Sequence, residues 1–486
     1  MNLVRTVVES AAWVAGAQWS TQCLQFGVSI VLAHLLSPRD YGLVSMSGTF
    51  IGFISLFANL GFGAALVERR NVDEDCICTA FWATAFVGAF VYVVAYLCAS
   101  FVGNFYGAPR LIAIIRVVAV GLLITPLSDI LNSLLSRRMA FRTVALIEVG
   151  CAMVSQTTAL IAAVLGFGVW SVVFATLVLQ SARLVSLFGA IRWVPRLRFR
   201  RQSFLELFSF GGHLLGFQFL NYFVRNLDNV IIGKFLGSTA LGYYDLAYQL
   251  TLKPMVLVSY TFTQPLFPVL ASLKGNKLQA AETYRSVVVY ISLLTFPVLA
   301  GLAAVAPEAV VCVLGEKWIP VVPVLRILCF AGVMNCIATT VGTVYMSQGR
   351  SDIMLKWIVA AAPFAAGAFF LGVRWGIEGV ALGYAIFTMI AWVISHAIAN
   401  RLIDLQTRRF WSALLPATKA SLVMVVTVLL ARAAVMGLPL SPFTKLSILA
   451  LIGAGVYCAI ASIGKTEEVA RVRGYLLTKL SLSYSP

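Results

Sequence analysis

The sequence predicts an all-α integral membrane protein with about 14 transmembrane helices. Three observations carry that prediction. The 486 residues are 60% hydrophobic and only 11% charged, against roughly 25% charged in ordinary globular chains. The apolar residues fall in runs of about 20, the length a helix needs to cross a bilayer. The charge collects in short joins between those runs, as in Ile191–Ser203, which holds Arg192, Arg196, Arg198, Arg200 and Arg201. Five guanidiniums so close together are too costly for hydrocarbon, so this stretch is a linker outside the membrane.

The candidate spans, in order, are 11–34, 43–66, 79–101, 111–135, 144–165, 169–190, 205–232, 243–270, 286–306, 321–347, 355–373, 379–402, 413–435 and 443–463. Polar joins such as SPRDYG, ERRNVDEDC, FYGAPR, SRRMAFR, SLKGNKLQ and DLQTRRFW punctuate them. The thinnest joins are GFG at 166–168 and PLSP at 439–442. The first run is broken by Gln18, Gln22 and Gln25 and is preceded only by Arg5. It reads as a retained first span rather than a cleaved signal.

The net charge of +17 would suit nucleic-acid binding in a soluble chain, but here the loops explain it. Of 36 Lys and Arg, 24 lie at the N-terminus, in the even-numbered loops or in the tail. Nine lie in the odd-numbered loops and their flanks, and three (Arg183, Arg225, Lys253) fall inside spans. This bias places both termini in the cytoplasm, which requires an even number of spans. No nucleic-acid partner is expected. The tail after Gly464 is expected to lie as a short helix on the anionic inner leaflet.

Metal chemistry is not expected. The three His (His34, His213, His396) are far apart, Cys76 and Cys78 form a lone C-x-C, and no paired C-x-x-C occurs. The nine Cys read as small apolar residues within the bundle.

A repeat is visible at offsets of about 200 to 210 residues. LLSPRDYG at 35–42 resembles FLGSTALGYY at 235–244; LLSRRMAFR at 134–142 stands where YMSQGRSDI does at 345–353; GFGVWSVV at 166–173 resembles GIEGVALG at 376–383. Spans 1–6 and 7–12 therefore read as two copies of a six-helix unit. Six is even, so the copies insert the same way round, as a parallel repeat of the kind known in secondary transporters. The expected organisation is an N-terminal lobe 1–190, a cytoplasmic Arg-rich linker 191–204, a C-terminal lobe 205–402, two extra helices in 403–463 and a tail 464–486.

The ordered set LAHLLSPRDYGLVSM, NLGFGAALVER, FYGAP, LLSRRMAFR, GFGVWSVV, LDNVIIGKFLGSTALGYYDLAYQL, FPVL, LGEKW and SQGR resembles polysaccharide exporters of the MOP flippase superfamily. More narrowly, it resembles the Wzx-like branch of lipopolysaccharide and exopolysaccharide biosynthesis. The resemblance implies two six-helix lobes forming a V around a central cavity. It implies alternating access and a flippase that moves undecaprenyl-pyrophosphate-linked oligosaccharide from the cytoplasmic to the periplasmic leaflet. It further implies a polysaccharide polymerase and a chain-length regulator as partners beside the membrane lipids.

Carrying a pyrophosphate and sugars through a low-dielectric core calls for a hydrated cavity with cationic side chains. Span 7 is the most polar: Asn221, Arg225, Asp228 and Asn229 fall at i, i+4, i+7 and i+8, one stripe of a helix. Arg225 suits phosphate because its fork bonds bidentately. The bland alternative is an i, i+3 pair in which Arg225 and Asp228 neutralise each other. Lys253, before Pro254, is a second candidate for the cavity, or a snorkelling residue. Arg116 and Arg326 occupy matching places in the two repeats, lining the periplasmic half or sitting at the membrane edge. Gln18, Gln22 and Gln25, with Trp19, suit sugar hydroxyls or interhelical hydrogen bonds; Asn59 is a further polar position. Asp228, Glu148 and Asp129 are candidates for coupling to H+ or Na+; no other cofactor is expected.

Three alternatives stand beside the flippase. A cation or drug antiporter of the same superfamily would share the fold but favour carboxylates in its cavity. A lipid II flippase would use the same physics. A membrane enzyme, such as a polysaccharide polymerase or lipid-sugar transferase, would need an extramembrane domain, and no loop here is long enough to form one.

Overall fold

The structure is a computed structural model and describes residues 3–58, 61–68 and 73–463. Asn59 and the tail 464–486, for which a surface helix is expected, lie outside the described residues. Every regular element among the described residues is helical. Ten helical segments there are long and apolar enough to cross a membrane. By contacts the chain divides into two units, Met1–Gly242 and Tyr243–Pro486.

The first unit holds α1 (Leu3–Leu35), α2 (Pro38–Ala58), α3 (Phe62–Glu68), α4 (Glu74–Tyr106), α5 (Pro109–Val118), α6 (Gly121–Arg137), α7 (Phe141–Val164), α8 (Val169–Ile191) and α9 (Arg201–Phe235). Small residues let these helices approach. Ala159 and Ala163 of α7 and Ala175 of α8 receive Val28 and Leu32 of α1, the packing expected where lipid replaces water and close van der Waals contact holds helices together. The span read at 111–135 is one apolar segment, Pro109–Arg137, made of α5 and α6 with a tightened turn at Ala119 and Val120 between them. A side chain at Gly121 would collide with Gln180 of α8.

Helix α9 packs against α2, α3 and α4. Phe219 meets Phe53 edge-on at 5.2 Å, and Tyr222 donates its hydroxyl to the Thr49 carbonyl at 2.9 Å. The packing boundary after Gly242 therefore falls later than the linker at which the sequence suggests dividing the lobes.

The second unit holds most of α10 (Gly237–Ser272), then α11 (Lys277–Ala304), α12 (Ala306–Val313), α13 (Val321–Ser347), α14 (Ser351–Gly372), α15 (Gly376–Leu402), α16 (Thr407–Met436) and α17 (Pro442–Ile463). Its packing follows the first unit's: α11 on α13, α13 on α15 and α14 on α15, beside α4 on α6, α6 on α8 and α7 on α8. The last two helices are fastened to it in two ways. Met424 and Val428 of α16 pack with Ala304 and Leu449. Arg432 donates to the buried carboxylate of Glu308 at 2.5 Å.

The joins are built as their sequences suggest. Ser37 and Asp40 form a reciprocal cap at the start of α2: the Ser37 hydroxyl donates to Asp40 at 2.6 Å and accepts from the Asp40 amide at 3.3 Å. The loops SPRDYG and GSTALGYY, matched in sequence, also meet in space. A Cβ on Gly42 would lie 1.7 Å from the Ser238 carbonyl oxygen, and a Cβ on Gly242 would lie 1.9 Å from that of Pro38. Only glycine allows two backbones so close.

Candidate functional site

Three charged side chains meet inside the apolar helices of the first unit. Asp129 stands eight residues before the end of α6, Glu148 seven after the start of α7, and Arg183 eight before the end of α8. At 1.5 Å per residue, all three lie about 10–12 Å from those helix ends. Arg183 Nε is 2.9 Å from Glu148 Oε1, and Nη1 is 3.7 Å from Asp129 Oδ1. The Nε–H does not point at an oxygen, so the closer contact is ionic rather than a hydrogen bond. The side chains are 24%, 35% and 38% exposed for Arg183, Asp129 and Glu148, which leaves them reachable from a hydrated space.

With all three ionised, the cluster carries one more negative charge than positive. Such an excess is expensive in an apolar surrounding, and one proton or one monovalent cation removes it. The cluster can therefore take up a proton or a monovalent cation. Asp129 and Glu148 are sequence candidates that the structure brings together. Arg183 was noted only as lying in a span, and equal depth on three neighbouring helices is the signal that would have found it.

The α9 stripe is arranged differently from expectation. Asp228 is buried and accepts the Asn229 backbone amide at 2.8 Å, whereas Arg225 is exposed. Among the described residues no carboxylate pairs with Arg225, so the self-neutralising i, i+3 pair does not form. Asp228 also stands apart from the Asp129–Glu148 cluster, on a different helix. Asn221 and Asn229 are half-buried, and Lys253 is half-buried on α10.

The glutamines of α1 do not bind neighbouring helices. Gln18 and Gln25 are exposed, Gln22 is half-exposed, and no interhelical hydrogen bond of their amides occurs among the described residues. Among the described residues it is the apolar face of α1, Val28 and Leu32, that packs on α7. Arg116 donates to Ser100 Oγ at 3.2 Å and stacks over Tyr96 at 4.6 Å. Its repeat counterpart Arg326 is exposed, donating only Nε–H to the Ala303 carbonyl at 3.3 Å.

The Arg-rich linker does more than mark a side of the membrane. Arg196, Arg198 and Arg200 alternate along an extended strand of chain, so they share one side. They pair with Glu74 at 3.3 Å, Asp75 at 2.9 Å and Asp73 at 3.2 Å, at the start of α4. Trp82 donates its indole N–H to the Arg196 carbonyl at 2.8 Å, and the Arg200 amide donates to Thr79 Oγ1 at 2.9 Å. The hydrogen bond and charge of Asp75 push the Arg198 guanidinium above its ordinary pKa. Among the described residues, no group of three or more His, Cys, Asp or Glu could hold a metal ion.

A family model described as polysaccharide biosynthesis protein matches residues 31–323, more than half of the chain and all of the helices that carry the cluster. The chain belongs to this family. Two similar proteins are the teichuronic acid biosynthesis protein TuaB of Bacillus subtilis and the succinoglycan biosynthesis transport protein ExoT of Rhizobium meliloti. TuaB is 26% identical over 85% of this chain and 86% of its own. ExoT is 26% identical over 76% of this chain and 74% of its own. Among solved structures, the lipid II flippase MurJ in an inward closed conformation has a similar fold. The TM-score is 0.75 at 13% identity, over 93% of this chain and 98% of MurJ. This polysaccharide biosynthesis protein is thus an all-helical, multi-pass membrane protein with the fold of a flippase, as its motifs suggest.

Proposed function

We propose that this polysaccharide biosynthesis protein is a flippase, not an enzyme. It carries undecaprenyl-pyrophosphate-linked oligosaccharide from the cytoplasmic to the periplasmic leaflet of the inner membrane, for lipopolysaccharide or exopolysaccharide. The observation that carries this reading is the family match over residues 31–323, the stretch that holds the Asp129–Arg183–Glu148 cluster, Arg225 and Lys253.

The topology has 14 spans. The apolar stretch Ser351–Leu402 contains two helices, α14 and α15, and α1, α9 and α10 have 33, 35 and 36 residues, long enough to cross. The loop charges put both termini in the cytoplasm. The six-helix halves are related by the parallel repeat, supported by the matching order of helix packing in the two units. Arg225, exposed and paired with no carboxylate among the described residues, meets the pyrophosphate; Lys253 and the amides of Asn221, Asn229, Gln18 and Gln22 serve the rest of the headgroup. The cluster takes up the coupling H+ or Na+. Polymerase and chain-length regulator act on the delivered product.

The two-carboxylate cluster is the one observation that favours the second reading, a cation antiporter. A gene deletion separates the two. Lipid-linked oligosaccharide accumulating on the cytoplasmic face, with loss of surface polysaccharide, supports the flippase. Unchanged surface polysaccharide with raised sensitivity to a cationic drug supports the antiporter.

A further inference from the structure

Helices α13 and α15 of the second unit run in the same direction and leave a groove between them of about 310 Å³. Its walls include Ile327 and Phe330 from α13 and Leu382, Ile386 and Met389 from α15. The α15 residues fall at i, i+4 and i+7, so that wall is one helical face about 10 Å long. One charged side chain lines the groove, that of Arg326. Arg326 is five residues into α13 and Leu382 six into α15, so the guanidinium stands at the end where both helices begin.

The contrast with Arg116 is informative. In the first unit the matching arginine is covered by Ser100 and the Tyr96 ring. Arg326 gives one N–H to a backbone carbonyl and is otherwise exposed, and no carboxylate pairs with it among the described residues. A guanidinium so close to apolar surface calls for an anion, and its fork fits phosphate oxygens. Two helices in contact leave one crease, and one crease seats a single hydrocarbon chain rather than the two of a phospholipid.

We propose that this groove is a lipid site for a polyisoprenoid diphosphate: Arg326 binds the diphosphate and the α13–α15 crease holds the chain. The site rests on the flippase reading and deepens it. By the loop charges the head of α13 is periplasmic, so the groove holds the lipid after translocation.

The test uses the full-length protein in vesicles of phosphatidylethanolamine and phosphatidylglycerol, with a photoreactive polyisoprenyl diphosphate as probe. Labelled peptides should come from 327–330 and 382–389. Arg326→Ala should lower labelling there by about tenfold, the loss of one charge-assisted contact, and Arg326→Lys by less. Leu382→Trp, at an exposed position, fills the groove without touching the core and should lower labelling too. Excess phosphatidylglycerol should not compete. Labelling that is equal in wild type and both Arg326→Ala and Leu382→Trp overturns the site, as does displacement by phosphatidylglycerol, which would make it a general phospholipid groove. Label confined to other helices sinks the groove and leaves the flippase reading standing; no label anywhere in the protein sinks both.

Discussion

Gly42 and Gly242 each receive the backbone of the other's loop: Ser238 lies against the first and Pro38 against the second. The two positions are 200 residues apart in sequence and occupy the same place in matching motifs. The contact joins the starts of α2 and α10.

Side chains at these glycines should therefore prop the two loops apart. Gly42→Val and Gly242→Val should each abolish export while the protein still reaches the membrane. Gly367→Ala, at a position with open space around it, should be silent. Surface polysaccharide and membrane immunoblots read both; export by either valine variant would show that the contact is dispensable.

Removing Arg183 should be worse than removing it together with a carboxylate. Arg183→Ala leaves Asp129 and Glu148 facing each other without a cation. With the side chains partly exposed, the cost should be on the order of 1–2 kcal/mol, below the 3–5 of a fully buried pair. Arg183→Ala/Asp129→Asn should recover part of it. Thermal unfolding of the purified protein tests this, and equal melting of the single and double variants would remove the coupling argument. Glu148→Gln should fold normally and lose ion-driven export.

The same logic is sharper at Glu308, which is only 6% exposed. Arg432→Ala strands that carboxylate and should cost about 3–5 kcal/mol, loosening α16 and α17. Glu308→Gln with Arg432→Met should be near neutral. A thermal melt that does not separate the single from the double variant would refute the pairing.

Arg225→Ala should abolish export with normal membrane insertion, and Arg225→Lys should be poor because a lysine cannot bond bidentately. Normal export in Arg225→Ala would remove that residue from the substrate path.

The linker pairs are exposed, so each is weak singly and weakens further with salt. Asp75→Arg should free the linker to protease in inverted vesicles, and adding Arg198→Asp should protect it again. High salt should mimic the single variant. Protection that is indifferent to all three would mean that Trp82 and Thr79 hold the linker alone.

The membrane class and the helical character were legible because hydrophobic length acts locally, one run at a time. The Asp129–Arg183–Glu148 meeting was legible in principle, since three charges sit at one depth on consecutive helices. Taken singly, each charge looks like an isolated polar residue in an apolar helix; only the common depth marks the three as a group. The linker ladder was half-visible: R-x-R-x-R places three arginines on one side of an extended chain, and DED follows the second span. What spacing could not give is side-chain choice. Asp228 turns to its neighbour's amide rather than to Arg225, although the i, i+3 distance allows either. Nor did the sequence signal the tightened turn at Ala119 and Val120, which no proline marks.

Helix α9 heads the second series of motifs yet packs with the first unit, laying Phe219 and Tyr222 on α2. If the chain arose by doubling of a six-helix ancestor, the first helix of the second copy now packs with the first unit, and a cut at the linker parts α9 from the helices it lies on. A polypeptide ending at the linker would lack the partner for Phe53, and the complementary fragment would carry α9 with nothing to lie on. Function would return only when both fragments are made together and α9 finds its way back across the cut.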